Sequence, residues 1–273
     1  MATKKFVDSI IEAYGGQAYL TVDSITAKFQ FTGAMLGLKG RPYSLLRPKV
    51  TVSTKEQRSA YRGLGGSPDE EWVFTPKRVW KQHADGTIIA SRDNPRDAFK
   101  GHTLETPWDD FHFIYFCGYA MWQYLNFPFI LGRDDIQLTE LDTHHENGQE
   151  WRVVEATFPD ADILVSHCKK QKFYFDSNLV LQRHDYGPDV LNFDTLSGSP
   201  AAHYNYDEVT VGGIKIPTLR RVVGINPADG LPLYHGPIPT LIHLELQNIQ
   251  VKKQGVSTRQ DDEWSLIEAP KGF

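Results

Sequence analysis

A succession of short alternating segments, separated by tight-turn residues, most constrains the fold of this 273-residue chain. Residues 25–32 alternate apolar and polar side chains, which is typical of a strand with one buried face and one solvated face. Hairpin-type turns separate later strand patterns at residues 84–86, 146–148, 176–178 and 212–213. Hairpins pair strands antiparallel, and no βαβ rhythm is present, so the sequence predicts a mainly β (α+β) fold.

The predicted sheet has about ten or eleven strands, which we expect to form one large, curved antiparallel sheet or incomplete β-barrel. Weaker strand patterns lie at residues 43–46, 49–54 and 56–62, and further strands are predicted at residues 73–83, 214–217 and 219–225. No linker or repeat divides the chain, so residues 1–273 are predicted to form a single domain with its helices on the concave face.

Two helices interrupt the strand patterns. Residues 3–14 present Phe6, Ile10 and Tyr14 on one helical face, and Gly15-Gly16 provides a left-handed stop. A second helix is predicted over residues 107–126, with Thr106 as its N-cap and Pro107 in its first turn.

The composition excludes several classes of protein. Hydrophobic residues make up 40% of the chain, which is too apolar for a disordered protein. The net charge of −5 disfavours binding to nucleic acid through bulk positive charge. We find no signal-peptide pattern and no apolar run long enough for membrane insertion, so we expect a cytoplasmic protein whose two cysteines are reduced thiols.

The order of these elements resembles the LolA/LolB-type (lipoprotein-sorting) half-barrel superfamily. The matching features are the helix ending in Tyr14-Gly15-Gly16, the strand at 25–31, the helix at 107–128, the hairpin at 173–186 and Ile216-Pro217-Thr218. The resemblance implies an incomplete barrel with helices acting as a lid over an apolar cavity. The chain lacks the export signal and the lipidated cysteine of the sorting proteins, so its layout is most similar to uncharacterised cytosolic bacterial members.

The predicted lid helix lies in an unusually aromatic segment, because residues 108–129 contain ten of the chain's 33 aromatic residues. Such a helix is either buried in the core or packed on the sheet with its other side facing a cavity. The resemblance favours the cavity. The predicted ligand-binding residues are Trp108, Phe111, Tyr115, Tyr119, Trp122, Phe29, Phe31 and Arg183.

The densest group of titratable residues lies at residues 183–186. Alternation in a strand places Arg183 and Asp185 on one face, and His184 and Tyr186 on the other. Together with His203, the last three residues of this group (His184, Asp185 and Tyr186) are the candidate catalytic residues if the protein is an enzyme, since they can move protons. A purely structural role for the group is the competing interpretation.

No metal site and no cofactor are predicted. His144 and His145 are adjacent in a predicted strand, so they point to opposite faces, and no H-x-H, H-E-x-x-H or C-x-x-C motif is present. The sequence therefore favours a carrier or binding protein for a hydrophobic small molecule or lipid. The alternatives are a cofactor-free enzyme, such as an isomerase, cyclase or lyase, in the same cavity, and an interaction module that uses sheet edges or the lid.

Overall fold

The computed structural model describes residues 2–41, 47–191, 201–226, 228–233 and 240–255. The predicted strand at 43–46 lies outside these residues. The described α-helices are α1 (Ala2–Ala13), α2 (Gly16–Leu20), α3 (Ala34–Leu38) and α4 (Asp110–Leu125). Short 3₁₀ helices span Pro95–Phe99, Phe129–Gly132 and Asp189–Leu191.

The described residues contain thirteen strands, more than the sequence predicts. They are β1 (Val22–Thr32), β2 (Lys49–Ser53), β3 (Ser59–Arg62), β4 (Glu70–Phe74), β5 (Arg78–His83), β6 (Ile88–Asp93), β7 (Gln137–Glu146), β8 (Gln149–Thr157), β9 (Lys170–Phe175), β10 (Leu181–Tyr186), β11 (Ala201–Val211), β12 (Ile214–Gly224) and β13 (Ile242–Lys253). All thirteen belong to one antiparallel, open, curved sheet, which confirms the predicted fold class.

The sheet consists of two meanders joined by one long-range pair of strands. Its order is β6-β5-β4-β3-β2-β1-β13-β12-β11-β10-β9-β8-β7, so β1 pairs with β13 at the junction. Strands β6 and β7 therefore lie at opposite edges of the sheet. The chain between them contains α4, and this connection must cross the sheet from one edge to the other.

Two strand predictions are wrong in their bounds. The segment at 73–83, predicted as one strand, is divided into β4 and β5 by a turn in which Thr75 caps the backbone of Arg78. The segments at 214–217 and 219–225, predicted as two strands, form the single strand β12. Pro217 and Thr218 are accommodated inside it, and Pro217 lies opposite Glu208 of β11.

Helix α1 agrees with its predicted bounds to within a residue, and Gly15 follows it with a φ of +96°. A Cβ atom at Gly15 would lie 1.9 Å from the carbonyl oxygen of Gly213, so the close approach to the β11–β12 turn also requires glycine here. The chain does not leave helical structure at Gly16, because α2 begins at that residue.

Helix α4 begins three residues later than predicted. Its N-cap is Asp109, not Thr106, and Pro107 precedes the helix. The Asp109 carboxylate accepts the backbone N–H of His112 at 2.9 Å, and His112 Nδ1 accepts the backbone N–H of Asp109 at 3.2 Å. This reciprocal capping box satisfies two donors of the first turn, which Thr106 does not do.

The concave face of the sheet and α4 enclose one large hydrophobic core. In α4, 14 of the 16 residues are buried, so the helix is buried on all sides within the described structure. It packs closely on β4, where a Cβ atom at Gly118 would lie 2.1 Å from Cγ of Phe74. A second, smaller hydrophobic cluster lies on the opposite, outer face and includes Trp151, Tyr174 and Tyr204.

Candidate functional site

The predicted ligand-binding aromatics lie at or near α4, within the main core. Trp108, Tyr115, Tyr119, Trp122 and Phe29 are buried, whereas Phe111 and Phe31 are partly exposed. Among them, Trp122 donates from Nε1 to the carbonyl oxygens of Ser53 and Glu56, at 2.9 Å each. The hydroxyl of Tyr119, by contrast, has no hydrogen-bond partner in the part of the chain that the structure describes.

A group of polar side chains lies beside α4 inside this core, and we call it the inner polar cluster. It consists of Tyr119, Tyr124, His167, His184, Tyr186, His203 and Arg220, all of them buried. Strand register brings its β-strand members together, because His184 of β10 lies opposite His203 of β11. Tyr186, two residues after His184, points to the same face.

A chain of hydrogen bonds runs through this cluster. The hydroxyls of Tyr124 and Tyr186 lie 2.8 Å apart, and the Tyr186 hydroxyl lies 3.0 Å from Nδ1 of His203. His184 forms a separate hydrogen bond, with its Nε2 2.8 Å from Oε1 of Gln171. The chain thus connects α4 to β10 and β11 through groups that can each exchange a proton.

His167 joins the cluster from the segment between β8 and β9. Its ring stacks on that of Tyr186 with centroids 4.0 Å apart, and lies 5.1 Å from the ring of Tyr119. Neither ring nitrogen of His167 has a hydrogen-bond partner among the described residues, and the same is true of Nε2 of His203. The inner polar cluster therefore contains several buried polar atoms that have no hydrogen-bond partner among the described residues.

Burial keeps the three histidines of the cluster neutral at neutral pH. Burial lowers the pKa of His167 from its ordinary value of 6.5 to about 3. Burial, with the neighbouring His203 and His167, holds the pKa of His184 well below 6.5. Burial and the positive charge of Arg220 do the same to the pKa of His203.

Arg220 supplies the only full charge of the inner polar cluster. Its Nη1 donates to Oδ1 of Asn205 at 2.5 Å, and its Nη2 donates to the carbonyl oxygen of Tyr124 at 3.2 Å. Nε has no partner among the described residues. Burial lowers the pKa of Arg220 from 12.5 to about 10, so the guanidinium is still charged at neutral pH.

Arg183 and Asp185 lie on the other side of the sheet, as their alternation with His184 predicts. There Arg183 donates to both Asp185 and Glu146, with a distance of 2.7 Å to Glu146. The hydroxyl of Tyr174 donates to Asp185 at 2.7 Å. The structure therefore brings His184, Tyr186 and His203 together. It separates them from Asp185, and it separates Arg183 from the predicted ligand-binding aromatics.

A surface pocket of about 530 Å³ lies on this outer face. It is lined by Glu146, Asn147, Gln149, Trp151, Gln182, Tyr204, Tyr206 and Arg221. Its walls combine aromatic rings with amide, carboxylate and guanidinium groups, whereas the unpartnered polar atoms described above belong to the inner face.

Sequence reasoning missed Tyr124, His167 and Arg220 as members of a site. A signal for Arg220 was present, since consecutive residues of a strand point to opposite faces and Arg220 is followed by Arg221. In a sheet with one buried face, one of the two arginines must point inward. No comparable local signal exists for His167, which lies outside any strand or helix.

Within the described residues, no three His, Cys, Asp or Glu side chains are grouped so that they could hold a metal ion. His144 lies 3.1 Å from Glu146, whereas His145 is exposed. The described helices include none long and apolar enough to cross a membrane.

No protein-family model matches the chain, and no curated protein matches it in sequence. Among solved structures, a LolA superfamily protein from Nitrosomonas europaea aligns with a TM-score of 0.49 at 10% identity, over 90% of this chain and 94% of its own. A DUF1329 family protein from Desulfovibrio piger aligns with a TM-score of 0.44 at 12% identity, over 93% and 95% of the two chains. An outer membrane lipoprotein-sorting protein domain from Vibrio parahaemolyticus aligns with a TM-score of 0.40 at 10% identity, over 92% and 95%.

All three alignments have a TM-score below 0.5 and an identity of 12% or less. The open antiparallel sheet with its buried crossing helix has the incomplete-barrel layout that the sequence predicts.

Proposed function

We propose that this protein binds an amphipathic small molecule inside the half-barrel. The polar group of the ligand contacts the inner polar cluster, and its apolar part lies against aromatic residues of and around α4. The predicted ligand-binding residues Trp108, Phe111, Tyr115, Tyr119 and Trp122, together with Phe29 and Phe31, belong to this proposal.

One observation supports the proposal above all. Tyr119, His167 and His203 carry buried polar atoms that have no partner within the described residues. A buried polar atom without a hydrogen bond costs roughly 1–3 kcal/mol, so several at one place destabilise the protein unless something else satisfies them. A polar group of a bound ligand would satisfy them, and the surrounding aromatic rings suit an apolar body.

The first experiment is native mass spectrometry of the purified protein, followed by extraction and identification of whatever molecule co-purifies. The second is titration with a fluorescent fatty-acid analogue. We expect binding to the parent protein and an affinity about fivefold lower for Tyr119→Phe, which removes only the unpartnered hydroxyl.

Tyr206→Phe is the matched control, since Tyr206 lies on the outer face and is 41% exposed. It should bind the analogue like the parent. A folded protein that co-purifies with no small molecule and binds no apolar probe would contradict the proposal.

An enzyme acting on the same molecule without a cofactor is the second candidate function. The chain from Tyr124 through Tyr186 to His203 favours it, because these groups can pass a proton to a bound molecule. Incubating the protein with the extracted molecule and following its mass and chromatographic retention distinguishes the two. Conversion by the parent and its loss in Tyr186→Phe would support catalysis.

We also propose that the protein is cytoplasmic, as its sequence predicts. Fractionation of cells that express the natural gene tests it directly.

A further inference from the structure

Arg220 is buried on the inner face of the sheet. It lies opposite Asn205 of β11 and opposite Leu244 of β13, and only 2% of its surface is exposed. Its guanidinium carbon lies 4.8 Å from the ring centroid of Tyr124, which is itself 4.9 Å from the ring of His203. The charge is thus placed at the centre of the inner polar cluster.

The charge of Arg220 is not balanced within the described structure. The side chain forms no ion pair there, and both hydrogen bonds that it makes go to neutral amide oxygens. Arg183, the other arginine that is almost fully buried, has two carboxylate partners. A buried charge without a counter-ion is strongly unfavourable, so a fold that retains one needs a reason for it.

Donors for a negative group are present at the same place. Nε of Arg220 is unpartnered among the described residues, and each of its Nη atoms uses only one of two hydrogens in the bonds above. The guanidinium edge formed by Nε and one Nη matches the two oxygens of a carboxylate. The hydroxyl of Tyr119 is a further donor of the cluster without a partner in the described structure.

We infer that the polar group of the ligand is a monoanion, the carboxylate of an amphipathic acid, with Arg220 as its counter-ion. This inference rests on the proposed function and identifies the class of ligand. One negative charge balances the single guanidinium, whereas a dianion would leave one charge unbalanced in the core.

Displacement of Nile red, an uncharged apolar dye, tests the inference. The competitors are laurate, dodecanol and dodecyl phosphate, which share a twelve-carbon chain and differ in the charge of the head. We expect laurate to compete about tenfold or more better than either of the others. Arg220→Met should remove this preference by weakening laurate about tenfold while changing dodecanol less than about twofold.

Arg221→Met is the matched control. It removes the same charge from the next residue of β12, which is exposed and points to the outer face. It should leave all three affinities as in the parent.

The outcomes separate the two proposals. If Nile red binds and laurate and dodecanol displace it equally, the charge inference is wrong and the proposed function stands. If dodecyl phosphate is preferred, the head is a dianion and the inference is also wrong. If Nile red and all three competitors fail to bind, the proposed function falls and the inference falls with it.

Stability provides an independent readout. Arg220→Met removes a buried charge that has no carboxylate partner in the described structure, and with it two hydrogen bonds to neutral oxygens. The two effects oppose each other, so the ligand-free variant should unfold at a urea concentration close to that of the parent. Added laurate should raise the unfolding midpoint of the parent more than that of this variant, because the variant binds laurate about tenfold more weakly. A loss of stability in ligand-free Arg220→Met as large as that in Arg183→Met, whose partners are carboxylates, would reveal a permanent counter-ion in the protein and overturn the inference.

Discussion

Arg183 and Asp185, two residues apart in β10, form a two-point ion pair on the outer face of the sheet. Nε of Arg183 lies 2.6 Å from Oδ1 of Asp185, and Nη2 lies 2.8 Å from Oδ2. Glu146 accepts a third hydrogen bond from the same guanidinium. Both members of the pair are buried, at 3% and 6% exposure, so the pair is shielded from solvent.

We expect Arg183→Met to lower the free energy of unfolding by about 3–5 kcal/mol, because it leaves the buried carboxylate of Asp185 without its counter-ion. Urea unfolding at neutral pH measures this loss. Arg221→Met, an exposed change on the same face, should alter the free energy by less than about 0.5 kcal/mol. A loss below about 1 kcal/mol for Arg183→Met would show that the pair is unimportant to stability.

The buried histidines predict a dependence of stability on pH. Burial lowers their pKa values in the folded state, so the unfolded chain binds more protons below its own histidine pKa of about 6.5. The free energy of unfolding is therefore not reduced by these histidines above pH 6.5. It decreases as the pH falls from 6.5 towards about 3, the pKa of His167 in the folded protein. The slope is at most about 1.4 kcal/mol per pH unit for each histidine.

Urea unfolding at several pH values between 7 and 4 tests this dependence. His167→Phe keeps a ring in the stack with Tyr186 and removes one titrating group, so the slope should fall by the contribution of one histidine. His145→Gln changes an exposed histidine and should keep the slope of the parent. Equal slopes for the parent and His167→Phe would argue against a neutral, buried His167.

The close contact between α4 and β4 at Gly118 predicts that Gly118→Ala lowers the stability of the protein, although this substitution stabilises most helices. Alanine normally stabilises a helix interior relative to glycine by about 0.5–1 kcal/mol. At Gly118 the new Cβ would overlap the Phe74 side chain, so Gly118→Ala should destabilise the protein by about 1–3 kcal/mol. Gly37→Ala in α3 is the control. Apart from its chain neighbours and its own helix backbone, no atom of the described residues lies within 4 Å of its Cβ position, so a neutral or stabilising effect is expected in thermal unfolding.

The capping box of α4 predicts that Asp109→Ala and Asp109→Asn lower the stability of the protein by different amounts. Asp109→Ala removes the acceptor for the His112 N–H and the ion pair with Arg92, so it should cost about 0.5–2 kcal/mol. Asp109→Asn keeps a capping oxygen and should retain most of that stability. Thermal unfolding of the two variants measures the difference, and equal losses would mean that the Arg92 ion pair, not the cap, stabilises this helix end.

Much of the fold was predictable because its signals are local. Period-two alternation marks β1, and the Asn147-Gly148 turn, with both residues at positive φ, marks the β7–β8 hairpin. Alternation also separated Arg183 from His184 correctly. Local signals failed where two of them competed, as at the start of α4, where Asp109 forms the cap and Thr106 does not.

The candidate site was predictable only in part. His184, Tyr186 and His203 were identified from the sequence, but Asp185 lies on the other face of the sheet. His167 and Arg220 reach the cluster from segments distant in the chain. Helix α4 lies across the middle of the sheet because its connection joins strands at opposite edges. The sequence by itself determined the antiparallel pairing, the two longer helices α1 and α4, and the alternation of faces along the strands, since these depend on neighbours along the chain. Only the tertiary structure decided which inward-facing residues meet beside α4, because strand order and helix crossing depend on pairings between distant residues.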